Sequence, residues 1–157
     1  MGWFFGFKVH IIVSDCGELL SAALTPGNVS DKDSSLVETL SKNIFRKLVG
    51  DKGYISTQLF EKFYSKGTTL VTKVKNNMKN RIMTLLDRIL LRKRAIIESI
   101  NDFLKNSAQI EHSRHRSVSN GISNIISALI CYTFMTKKTS IRLHDTINTK
   151  QLNLVLL

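Results

Sequence analysis

At 157 residues the chain suits one domain of ordinary size, and a 43% share of hydrophobic residues supplies a real core, which excludes a disordered tail. A formal charge of +11, with a pI near 9.9, favours a polyanionic partner such as nucleic acid over an acidic metabolite, while leaving DNA, RNA and a membrane surface open. Cys16 and Cys131 have neither zinc spacing nor a disulfide framework, so they fit a reducing compartment and are expected as core thiols.

The opening stretch "MGWFFGFKVHIIVSDCGE" is apolar, but it lacks a positive flank, a small-residue cleavage site and the length to span a bilayer. No export is implied. Residues 4–13 alternate with the period of a strand, Phe5, Phe7, Val9, Ile11 and Val13 on one face and Lys8 and His10 on the other. "DCGE" then turns the chain and "LLSAALTP" returns it, predicting an antiparallel hairpin closed at Asp15 to Glu18. A helix follows, with Ser30 or Asp31 as its cap and Leu36, Val37 and Leu40 along one side. "FRKLVGD" reads as a buried strand ending at Asp51, Ser56 caps a second helix through Ser65, and "TTLVTKV" (Thr68 to Val74) is a strand by composition. From Met78 to about Met135 the pattern is helical. There "ISNIISALICYTF" is too short to span a membrane and sets Ile122, Ile125, Ile126, Leu129 and Ile130 on one core-facing side. The end, "KKTSIRLHDTINTKQLNLVLL", has no clear period and is expected to be a loosely attached tail. This order points to an α/β domain with a mixed sheet, residues 1–142, and a tail, residues 143–157.

Charge is placed unevenly along these elements. Between Lys73 and Arg116 there are eleven Lys/Arg and four acids, a net of +7 out of +11, so the basic surface falls on the last strand, the next helix and the loop "EHSRHRS". A solvated helix face is the plain alternative. Within this region "LLRKRAIIESINDFLK" (Leu90 to Lys105) has Ile96, Ile97, Ile100 and Phe103 to bury. It also carries Arg94, Glu98 and Lys105 within an arc of roughly 40°, at about 100° per residue, with Leu91 on its edge. A single polar stripe on a core helix strengthens the nucleic-acid reading.

Taken in order, "FFGFKVHIIVSDCGELLSAALTPGNVSDKDSS", "GDKGY", "LLRKRAIIESINDFLKN" and "IEHSRHRS" resemble the catalytic domain of bacterial insertion-sequence transposases of the DDE type. The resemblance covers roughly residues 2–142. In that family a strand with Gly, Lys and His at alternate places precedes a "tpgnvhD" segment and a strand ending in "aDkGY". A helix then carries Tyr, two residues, Arg, three residues, Glu, six residues and Lys. Arg94, Glu98 and Lys105 match these spacings, and Leu91 stands where the Tyr would be. The resemblance implies an RNase H-like mixed sheet with flanking helices, and a transposase function by metal-dependent phosphoryl transfer on DNA. Two divalent ions about 4 Å apart would be held by carboxylates, and hard oxygen ligands suit Mg²⁺ or Mn²⁺. Asp51 matches the second catalytic, metal-binding acid and Glu98 the third. Arg94, Lys105, Arg114 and Arg116 are the candidate contacts to DNA phosphates. The implied partners are DNA, as transposon ends and target, and full-length transposase or a second copy, with no membrane; the implied location is the bacterial cytoplasm, at the nucleoid.

Each residue also has a plainer reading. Asp51 can shape a turn with Lys52 and Gly53, and Glu98 can pair with Arg94 along the helix for a few tenths of a kcal/mol. Lys8 and His10 can be surface residues or play a structural part near the site, because His10 has no companion at metal-ligand spacing. Asp31 and Asp33 suit helix capping, and His112 and His115 suit phosphate contact or simple solvation. No residue matches the family's first acid, whose strand is central in that fold. The sheet is therefore expected to lack its first central strand and to leave two edges unpaired. On that expectation the chain is the C-terminal part of a transposase and inactive alone. The other open reading is a non-catalytic DNA-binding regulator or remnant of an insertion sequence, for which the basic helix and loop suffice.

Overall fold

The computed structural model describes residues 6–31, 33–50, 57–72, 84–92, 95–111, 114–138 and 154–156. The alternating segments form Phe7–Val13 (β1) and Leu19–Pro26 (β2), paired antiparallel from Phe7↔Pro26 to Val13↔Leu19 with a register shift at Ile12/Val13. The hairpin tip is built by Ser14, whose Oγ accepts the N–H groups of Cys16 at 3.2 Å and Glu18 at 3.0 Å. Gly17 takes a φ of +79° there, a left-handed conformation that costs glycine least.

The next elements are Ser34–Leu40 (α1), Arg46–Gly50 (β3), Thr57–Ser65 (α2) and Thr68–Thr72 (β4). Asp33 caps α1, its Oδ1 accepting from Ser35 N at 2.9 Å and Leu36 N at 3.1 Å. The cap expected at Ser30 or Asp31 is not used, because α1 begins at Ser34 and Asp33 directly precedes it; Asp31 pairs with Lys8 at 3.2 Å instead. β3 and β4 pair in parallel from Arg46↔Thr68 to Gly50↔Thr72, which requires a crossover, and α2 supplies it.

Leu85–Arg92 (α3), Ala95–Asp102 (α4) and Val118–Phe134 (α5) come next along the chain, with a π turn over Phe103–Ser107 directly after α4. Successive strand residues point to opposite faces, so the sheet builds two cores. Ile11, Val13, Val49 and Val71 pack with Ile96, Ile100, Leu104 and Tyr132 on the α3/α4/α5 side; Ile12 and Leu48 pack with Val37, Leu40, Leu59 and Phe63 on the α1/α2 side. The result is a mixed α/β sheet covered on both faces.

Leu154–Leu156, within the stretch expected as a loose tail, is a strand (β5) in the middle of the sheet, whose order is β2-β1-β5-β3-β4. It pairs antiparallel with β1 at Val13↔Leu156 and parallel with β3 from Lys47↔Leu154 to Val49↔Leu156. A strand in that place is flanked by residues buried on both faces, which suits a continuous apolar run and explains why "LVL" shows no alternation.

Two other expectations give way. α5 turns Ala128 and Tyr132 inward, while Ile126, Ile130 and Phe134, the first two expected on its core face, are exposed. Cys16 and Cys131 are both exposed, not core thiols.

Candidate functional site

The described site candidates, Glu98, Lys105, Arg114 and Arg116, are carried by α4, the π turn after it and the loop that leads into α5. Ile96, Ile97 and Ile100 anchor α4 to the sheet, and the helical period then leaves Glu98 exposed on the other side. Leu91, expected on the edge of the polar stripe, is buried in the core. Past Asp102 the helix widens. Ala108 N donates to Phe103 O at 2.9 Å, five residues back, so the ideal step that aligned Lys105 with Glu98 no longer holds beyond Phe103. Phe103 and Tyr132 rings meet at 5.7 Å and tie this turn to α5.

Lys105 is half-exposed and pairs with Glu111 at 2.7 Å. Arg114 and Arg116 are exposed just ahead of α5, where Ser117 caps the helix by accepting from Asn120 N at 3.3 Å. Asp51 and Arg94 lie outside the described residues, as does His112. Among the described candidates, Lys105 and Arg116 share one cleft of about 760 Å³, and Glu98 and Arg114 do not line it.

That cleft runs along β1, with Gly6 to Ile11 as one wall and residues from Asn101 to Gly121 as the other. Lys8 enters it with Nζ donating to Val29 O at 2.9 Å and paired with Asp31. His10 is buried, not a surface residue, with Nε2 2.9 Å from Thr25 Oγ1 on β2. Burial pushes the His10 pKa below its ordinary 6.5, opposed by the Asp31 carboxylate and assisted by Lys8.

One polar pair escaped the sequence reading. Lys47 on β3 reaches Asp87 on α3 at 2.5 Å, and Thr84 Oγ1 both donates to Asp87 Oδ2 and accepts the Asp87 N–H. Burial alone would raise the Asp87 pKa; the hydrogen bonds from Lys47 and Thr84 outweigh it and hold the carboxyl below its usual range. The local signal was a capping box, Thr84 followed three residues later by Asp87, whereas the partner forty residues away had none.

Among the described residues no three His, Cys, Asp or Glu gather as a metal site. Glu98 supplies an exposed carboxylate, a hard oxygen donor that fits Mg²⁺ or Mn²⁺. No described helix is long and apolar enough to cross a membrane. A family model described as "Transposase DDE domain" matches residues 1–118, up to the first residue of α5. No curated protein and no solved structure matches the chain.

Proposed function

The chain belongs to the transposase DDE domain family, and from that membership we propose that it takes part in DNA transposition by metal-dependent phosphoryl transfer. The match over residues 1–118 carries this reading, because it spans both Asp51 and Glu98. In this proposal Asp51 and Glu98 hold Mg²⁺ or Mn²⁺. The ions activate the attacking oxygen and stabilise the leaving one when bound. Arg94, Lys105, Arg114 and Arg116 neutralise backbone phosphates; the exposure of the last three supports that role. The hairpin followed by a parallel β3-α2-β4 unit is compatible with an RNase H-like sheet, which we adopt as part of the proposal.

Only Asp51 and Glu98 among these 157 residues match the family's acids, so the chain alone is proposed to bind DNA without catalysing strand transfer. Full-length transposase is then the partner that completes the chemistry, in the bacterial cytoplasm at the nucleoid. The test is a strand-transfer assay with Mg²⁺ and labelled duplex DNA, using the purified chain alone and mixed with a segment supplying the missing acid. Alone it should bind DNA and transfer nothing. In an active mixture, Asp51→Asn or Glu98→Gln should abolish the reaction and leave DNA binding in place. Strand transfer by the chain alone, or full activity with both substitutions, overturns the proposal; a mere regulator tolerates both.

A further inference from the structure

The helix α5 is apolar on two opposite sides. Ala128 and Tyr132 are buried in the core and Leu129 packs against it, while Ile126 and Ile130 are each 50% exposed and Phe134 is 82% exposed. At about 100° per residue these three exposed side chains step round by roughly 40° each, so they form one ridge along the outer side. Thr133, beside them, turns its hydroxyl back to donate to Ile130 O at 2.6 Å, which leaves that polar group satisfied within the helix. None of the 17 residues from Val118 to Phe134 is charged, whereas every other described α-helix carries a charge. A helix apolar on both sides suits a place between two layers, and the sheet supplies one of them.

The ends of α5 state the chemistry of the other. Arg114 and Arg116 are exposed just before the helix, and Lys137, exposed, and Lys138, half-buried, follow just after it. Two basic ends therefore lie about 25 Å apart with no charge between them. We propose that this outer ridge docks a helix of a partner protein, apolar along one side and acidic at both ends. A second copy fits poorly. Packed antiparallel it would set Arg114 and Arg116 against Lys137 and Lys138, and packed parallel it would set each basic end against itself. Charge argues equally against the chain's own residues 139–153, which bring Arg142 and Lys150 with one acid, Asp145. DNA is acidic but has no apolar side with which to cover the ridge. An anionic bilayer favours cations along the flanks of a helix, where α5 has none, and would take Ser119, Ser123 and Ser127, on the same side as the ridge, out of water. Past Val118 the helix lies outside the residues matched by the family model, so this inference is independent of the phosphoryl-transfer reading.

The test uses the full chain and three synthetic alanine-rich helical peptides as long as α5: one with a leucine ridge and paired glutamates at both ends, one with the same ridge and lysine ends, and the glutamate peptide with its leucines replaced by glutamine. Fluorescence polarisation should rank the glutamate peptide at least roughly tenfold tighter than the lysine peptide, and the glutamine replacements should remove binding. In the native chain the methyl resonances of Ile126 and Ile130 should shift on titration. Ile126→Ser with Ile130→Ser, and separately Lys137→Glu with Lys138→Glu, should each weaken binding at least roughly tenfold while the circular dichroism spectrum stays unchanged. Equal binding of the two end chemistries, unmoved methyl resonances or full affinity in the serine variant overturns the proposal. So does a concentration-dependent dimer that the serine substitutions abolish, binding of anionic phospholipid vesicles but not of the glutamate peptide, or methyl groups that a soluble paramagnetic agent cannot reach in the free chain, because a second copy, a membrane or the chain itself is then the occupant.

Discussion

His10 is buried on β1 against Thr25, and its pKa is depressed, so its proton balance couples folding to pH. Above pH 6.5 the imidazole is mostly neutral in both states, and stability does not depend on it. As pH falls through 6.5 the unfolded chain takes up the proton first, so the folded state loses stability until its own lower pKa is passed. Urea midpoints between pH 8 and pH 5 should fall more steeply in the native chain than in His10→Gln; superimposed curves would refute the coupling. Arg116 answers to a different measurement. Arg116→Ala should lower the salt dependence of DNA binding by about one unit of slope and leave stability within about 0.5 kcal/mol. An unchanged slope would take Arg116 out of the interface. Glu98 on a helix beside the buried Ile96, Ile97 and Ile100 was legible in the sequence, since that placement rests on the local helical period. The π turn that displaces Lys105, and the cross-strand bond that buries His10, were not, because both depend on partners distant in the chain.

At the scale of elements, local chemistry was readable and its competition was not. The hairpin, α1, α2 and the β3 and β4 strands obey period and turn signals in "VHIIVSDCGELLSAALTP" and after it. The choice of cap was hidden, because three candidates, Ser30, Asp31 and Asp33, precede α1 and only the fold sends Asp31 to Lys8. Asp33→Ala should therefore cost about 1 kcal/mol by stranding two N–H groups of the first turn. Asp31→Ala removes only an exposed ion pair, a matter of about 0–1 kcal/mol. Chemical denaturation of the two variants checks the order, and a larger loss for Asp31→Ala would reassign the cap.

For the whole molecule, the described sheet is continuous only because β5 lies between its halves, β2-β1 and β3-β4. Its neighbours Val13, Leu48 and Val49 have 0% exposure, so the seam runs through the middle of both cores. The helices join the halves as well: α4 and α5 pack across Val13 and Val49, and the Tyr132 hydroxyl donates to Gly17 O at 2.6 Å. Val155→Pro separates the two contributions, because proline removes a backbone donor from a strand paired on both sides. If β5 carries the seam, the amides of Val13, Leu48 and Val49 should exchange at least roughly tenfold faster in the variant, equivalent to about 1.4 kcal/mol in opening free energy. The β1–β2 amides of the hairpin should keep their protection, since that pairing is local. Val155→Ala, which retains the backbone donor, should change exchange far less. Unaltered protection in Val155→Pro would mean that the helical layers alone hold the halves together and that β5 rests in the gap without closing it.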